Sequence, residues 1–210
     1  MFQFIKEYLE SNDGQATKSV KVQFRKRSEH TNRVFIWAKR LIEDELNIDK
    51  EAVLVSAIFH DVGYAESSDD YSKHAEKGAL ICEKYLIEQG FEAKFIEKVV
   101  YLVKNHSKKE LMLEKDTSKE LILLMEADLL DESGALSIVW DCMREGAQEK
   151  QTFEKTYKHI SDYSGRQLNG NPMVTEKGKA FWANKQRLVQ DFINQLGFDL
   201  ALEVDERGIL

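Results

Sequence analysis

A single proline, Pro172, stands in a chain of 210 residues, and only eleven glycines accompany it. Proline is the residue a helix interior tolerates least, and glycine comes next. A chain so poor in both has few enforced breaks and room for long helices. Its apolar residues recur with the helical period. Val34, Trp37, Ala38 and Leu41 fall three or four apart, and Phe95, Ile96, Val99, Val100 and Val103 share one face in the same way. No alternating apolar–polar stretch of useful length occurs, so the expected class is all-α.

The punctuation refines this. Phe2, Phe4, Ile5, Tyr8 and Leu9 predict a short helix closed by Asn12-Asp13-Gly14. A second helix over 16–27 would carry the basic cluster Arg25-Lys26-Arg27. Further helices are expected over 29–46, from Asp49 to His60, and over 73–89, 92–105, 117–127, 134–146, 151–163 and 175–196. Asp49, Ser72 and Thr175 are the expected N-caps, and Gly90 and Gly197 the expected stops. Gly63 permits a sharp turn. Glu66 to Asp70 and Gly165 to Pro172 read as loops. Trp140, Phe153, Tyr157 and Trp182 follow helical spacing and read as core. The length fits one domain over 1–210, with its core at about 25–135 and the terminal helices packed on it.

Composition narrows the partners. With 37 acidic against 30 basic residues the net charge is −7, the wrong sign for a nucleic-acid polymer. A small phosphorylated molecule that brings a metal remains compatible. Cys82 and Cys142 lie far apart and read as reduced. The start lacks the basic and apolar regions of a signal peptide, and no apolar run approaches a membrane span. The expectation is a cytoplasmic protein without a membrane partner, monomeric or homodimeric.

Four of the five histidines, His30, His60, His74 and His106, together with Asp61 and Asp128, form a pattern that can build a metal site. His60-Asp61 closes the apolar run from Ala52 to Phe59, where polar groups are costly unless something satisfies them. Adjacent residues on a regular helix diverge by about 100°, but past a helix end both can turn to one point. Imidazole and carboxylate suit Mn, Mg, Ni, Co, Fe or Zn. The plainer alternative is that His60 bonds a backbone carbonyl and Asp61 caps a helix.

The stretches Glu29-His30-Thr31-Asn32-Arg33-Val34 and Ala57-Ile58-Phe59-His60-Asp61-Val62-Gly63-Tyr64 resemble the HD superfamily of metal-dependent phosphohydrolases. So do His74-Ala75-Glu76-Lys77-Gly78-Ala79, Val103-Lys104-Asn105-His106 and Glu126-Ala127-Asp128-Leu129-Leu130-Asp131. The resemblance covers about 25–135. Pro172 to Lys179 followed by a long helix looks like the C-terminal part of small bacterial HD hydrolases, some of which cleave nucleoside triphosphates to monophosphate and pyrophosphate. The resemblance implies an HD helical bundle with additional C-terminal helices, and His30, His60, Asp61 and Asp128 as metal ligands. One ion is the leading reading, with His74 and His106 then lining the pocket as catalytic groups. In a two-ion reading they are ligands. Lys73 and Arg27 are candidates to hold phosphate, Asp131 to orient a ligand histidine, and Tyr64 to touch a substrate ring. Rival readings are a di-iron oxygenase on the same scaffold and a regulatory module that binds a nucleotide without turnover.

Overall fold

The computed structural model describes residues 1–16, 26–66 and 70–202. Among these the chain is all-α, and it divides into two compact units, the first from Met1 to Asp131 and the second beginning at Glu132. The first holds α1 (Phe2–Ala16), α2 (Arg27–Ile42), α3 (Lys50–Phe59), α4 (His74–Glu88), α5 (Ala93–Asn105) and α6 (Lys119–Asp131). Short 3₁₀ turns lie at Val62–Glu66, Tyr71–Lys73 and Lys109–Leu113.

Helix α3 is apolar almost all round, and such a helix has to be enclosed. Ala52, Val53, Val55, Ala57, Ile58 and Phe59 are buried, and α3 packs against α2, α5 and α6. The Ser56 hydroxyl is satisfied by the Val53 carbonyl at 2.9 Å. Asp49 caps the helix by accepting from the Ala52 N–H at 3.0 Å. Truncating the fully buried Phe59 would cost about 3–5 kcal/mol. Helix α6 lines the other side of this core with Leu121, Leu123, Leu124, Met125 and Leu130. Helices α4 and α5 form a hairpin turned by Gly90, whose φ of +76° suits glycine.

A close backbone approach fixes the turn that follows Asp61. A Cβ on Gly63 would stand 2.0 Å from the His74 carbonyl oxygen and 2.4 Å from the Gly78 nitrogen. Gly63 is therefore needed for proximity, not for a left-handed turn. It seats the Val62–Glu66 turn directly on the start of α4.

The second unit contains α7 (Ala135–Gly146), α8 (Phe153–Asp162), a 3₁₀ turn at Ser164–Asn169 and α9 (Glu176–Asp199). Its core is Ile138, Tyr157, Ile160, Val189 and Ile193. Thr175 caps α9 by accepting from the Gly178 N–H at 3.0 Å. Trp182 Nε1 donates to the Gly170 carbonyl at 2.9 Å, pinning the segment around Pro172.

Several boundaries differ from the sequence expectation. Helix α1 continues through Gly14 to Ala16, since one interior glycine costs only about 1 kcal/mol. Helix α2 ends at Ile42, four residues early, and Asn47 adopts a φ of +58° in the turn beyond. Asp70, not Ser72, accepts the capping bond before α4, because an extra 3₁₀ turn precedes that helix. Helix α9 runs past Gly197 to Asp199, and most of the expected loop before Pro172 is 3₁₀. Phe153 is 75% exposed: it opens α8 a full turn before Tyr157, the first residue of that face to reach the core. Most of the expected helix over 16–27, and the centre of the acidic loop from Glu66 to Asp70, lie outside the described residues.

Candidate metal centre

Four helices deliver imidazoles to one place. His30 sits in the first turn of α2, His60 directly follows α3, His74 opens α4 and His106 directly follows α5. Asp61 begins the departure from α3, and Asp128 lies in the last turn of α6.

Their donor atoms form two groups. His30 Nε2 lies 3.2 Å from His60 Nε2, 3.4 Å from Asp61 Oδ2 and 3.3 Å from Asp128 Oδ1. His60 Nε2 is 3.7 Å from that Asp61 oxygen and 3.8 Å from that Asp128 oxygen. In the second group His74 Nε2 and His106 Nε2 are 3.3 Å apart, and stand 3.7 and 3.5 Å from Asp61 Oδ1. Two ligands at roughly 2.1 Å from a common ion stand about 3.0–3.4 Å apart, so both groups are near the required spacing. Asp61 belongs to both, one oxygen to each.

The other ring nitrogens fix the tautomers. Nδ1 of His60, His74 and His106 donates to the carbonyl three residues earlier, of Ala57, Tyr71 and Val103, at 2.8, 2.8 and 2.7 Å. A carbonyl only accepts, so the hydrogen is on Nδ1 and Nε2 is the atom that each ring turns inward. His30 Nδ1 is instead held by Asp131 Oδ2 at 2.8 Å, and Arg33 grips the two Asp131 oxygens at 2.8 and 3.0 Å. Nε2 of His74 and Nε2 of His106 thus converge on a carboxylate oxygen. A divalent cation satisfies that arrangement, and the buried donor set fits one.

The titration behaviour agrees. Burial opposes charge on His30, yet hydrogen bonds to Asp128 and Asp131 and the charge of Asp61 override it and raise the group to about 10. The same pull acts on any cation placed there. Burial lowers His60 to about 4, against the attraction of Asp61 and Asp128, so its ring is neutral and able to ligate. Burial also lowers His74. Burial of Asp61 and partial burial of Asp128 favour protonation, but the cations beside them, Arg27 and His30 at the first and Lys109 at the second, outweigh it and hold both well below the usual range.

Three basic groups answer the three carboxylates. Arg27 Nη1 is 2.8 Å from Asp61 Oδ2, Lys109 Nζ is 2.7 Å from Asp128 Oδ2, and Arg33 pairs with Asp131. Arg33 and Lys109 were not singled out by sequence reasoning. Arg33 lies three residues after His30, a spacing that shares a helix face. Lys109 carries no comparable signal, since Lys104 and Lys108 compete with it. Tyr64 stacks on His74 and lies under Arg27. Lys73 is not brought to the cluster: its side chain is 61% exposed and pairs with Asp70 at 3.4 Å. His159, in the second unit, sits between Asp141 and Glu145.

An all-α core that gathers His30, His60-Asp61 and Asp128 defines an HD-type domain, and the chain belongs to the HD domain family, whose model matches residues 27–133. No curated protein matches the chain. Its fold is similar to that of a predicted HD superfamily hydrolase from an uncultured Thermotogales bacterium, at 19% identity and a TM-score of 0.65 over 94% of this chain and 92% of that one. Bacillus subtilis YpgQ, solved in complex with ADP, aligns at 19% identity and a TM-score of 0.64 over 94% and 92%. The Lin1889 protein from Listeria innocua aligns at 21% identity and 0.58 over 97% and 99%. Among the described residues no helix is long and apolar enough to cross a membrane.

Proposed function

We propose that this protein is a metal-dependent hydrolase of phosphoester or phosphoanhydride bonds in a small phosphorylated compound, with a nucleotide as the favoured substrate. The observation that carries the reading is charge balance at the centre. Asp61, Asp128 and Asp131 are each already paired with a cation, Arg27, Lys109 and Arg33, so each divalent ion bound adds two positive charges beside carboxylates that are already neutralised. A positive, half-enclosed site attracts an anion such as a phosphate.

His30, His60, Asp61 and Asp128 would hold one ion. The approach of Asp61 Oδ1, His74 and His106 supports a second. A bound divalent cation supplies water acidic enough to attack near neutral pH and offsets charge on the phosphate. The chain supplies the rest. Arg27 and Lys109 flank the donor atoms and can turn from their carboxylates to phosphate oxygens. Asp131 holds His30 in its tautomer. A nucleotide is favoured because the similarly folded YpgQ binds ADP.

The test is product analysis with a panel of nucleoside mono-, di- and triphosphates and sugar phosphates, each with Mn, Mg, Co or Ni. Release of phosphate or pyrophosphate that stops on chelation and in Asp61→Ala is the expected result. Turnover that survives both treatments would overturn the reading, as would oxygen consumption by an iron-loaded protein that releases no phosphate.

A further inference from the structure

Two groups of the centre pack on the Tyr64 ring. His74 stacks on it with centroids 4.3 Å apart and planes 20° apart, and the Arg27 guanidinium carbon lies 4.0 Å from its centroid. The ring is thus in contact with an imidazole and a guanidinium at once. These two groups also reach Asp61, Arg27 Nη1 at Oδ2 and His74 Nε2 at Oδ1. Asp61, Arg27, Tyr64 and His74 thus close a ring of contacts around the carboxylate common to both donor groups.

The backbone explains why this ring is fixed. Tyr64 follows Gly63, whose contact with the His74 carbonyl and Gly78 nitrogen presses the turn onto α4. The bond from His74 Nδ1 to the Tyr71 carbonyl fixes one edge of the imidazole, and a flat surface against the ring restrains its remaining tilt. The same flat ring supports the guanidinium through cation–π attraction.

We propose that Tyr64 is a positioning residue: its ring holds His74 and Arg27 against the two oxygens of Asp61 and so sets the affinity of the Asp61, His74 and His106 group for a divalent cation. The proposal rests on the metal-centre reading above. Only the flat faces are required, so phenylalanine serves and an aliphatic side chain does not.

The test titrates metal-free full-length protein with Mn²⁺, counting free ion by its electron paramagnetic resonance signal. Wild type and Tyr64→Phe are expected to bind two ions with affinities within about threefold of each other. Tyr64→Leu should keep one ion at wild-type affinity and hold the second about 10- to 100-fold more weakly, the range for residues that orient a ligand. Tyr64→Met is measured in parallel and decides the matter if the leucine variant does not fold. Wild-type binding of both ions by either folded aliphatic variant overturns the proposal. Equal weakening in Tyr64→Phe also overturns it, because the hydroxyl would then be responsible. A wild type that takes one ion overturns the two-ion reading along with it, whereas two ions with no effect at Tyr64 overturn this inference alone.

Discussion

Lys109 Nζ stands 2.7 Å from Asp128 Oδ2, while the other oxygen of that carboxylate faces His30 Nε2 at 3.3 Å. The ammonium thus takes the outer oxygen and leaves the inner one aimed at the centre. Lys109→Met should lower kcat/KM by about 10- to 100-fold, or roughly 1.4–2.7 kcal/mol, with Lys109→Arg retaining part of the activity. Steady-state kinetics on the best substrate of the panel checks this, and an unchanged methionine variant would remove Lys109 from the site.

Asp131→Asn keeps the shape beside His30 but loses the charge that holds its Nδ1 hydrogen and pairs with Arg33. Metal affinity should fall about 10- to 100-fold, read by calorimetric titration of metal-free protein. The circular dichroism spectrum should be unchanged. Unaltered affinity would show that the His30 ring is fixed by something else.

Gly63→Ala places a methyl group against backbone on two sides, at 2.0 and 2.4 Å. Neither neighbour is a side chain that can swing away, so overpacking should cost more than about 3 kcal/mol, seen as a large fall in Tm or failure to fold. Gly90→Ala is the contrast. Its φ is +76° but nothing lies within 4 Å of the added carbon, so only the backbone cost of about 1 kcal/mol applies. Equal losses in the two variants would contradict the close approach.

Metal-free protein should be most stable near pH 6.5. His30 is raised from 6.5 to about 10 on folding, so its contribution is complete below pH 6.5 and is lost as the pH rises through 10. His60 is lowered from 6.5 to about 4, so its contribution is complete above pH 6.5 and is lost as the pH falls through 4. A cation competes with the His30 proton, so metal affinity should rise with pH up to about 10. Thermal melts of chelated protein from pH 4 to 10 test this. A Tm that climbs between pH 6.5 and 10, or an alkaline fall that persists in His30→Gln, would refute it.

The candidate ligands were readable because burial made them conspicuous. An apolar run that ends in His60-Asp61 leaves two polar side chains where only a partner makes them tolerable, and the family motifs then fixed the order of the rest. The anchoring of His60, His74 and His106 was less visible, since each depends on a carbonyl, and carbonyls carry no sequence identity. Selection of Lys109 over Lys104 and Lys108 depends on one 3₁₀ turn, and the Tyr64 stack on a glycine contact between segments eleven residues apart. Asp70 displaced Ser72 as the cap for a similar reason: both side chains suit the role, and only the extra turn decides between them.

Because one carboxylate, Asp61, presents an oxygen to each donor group, neither group can be loaded without altering the charge seen by the other. Two binding events of that kind are thermodynamically linked, and the coupling has the same size in either order of filling. Supply of one metal would therefore govern how tightly the next is kept, and the two groups would fill in steps and not together.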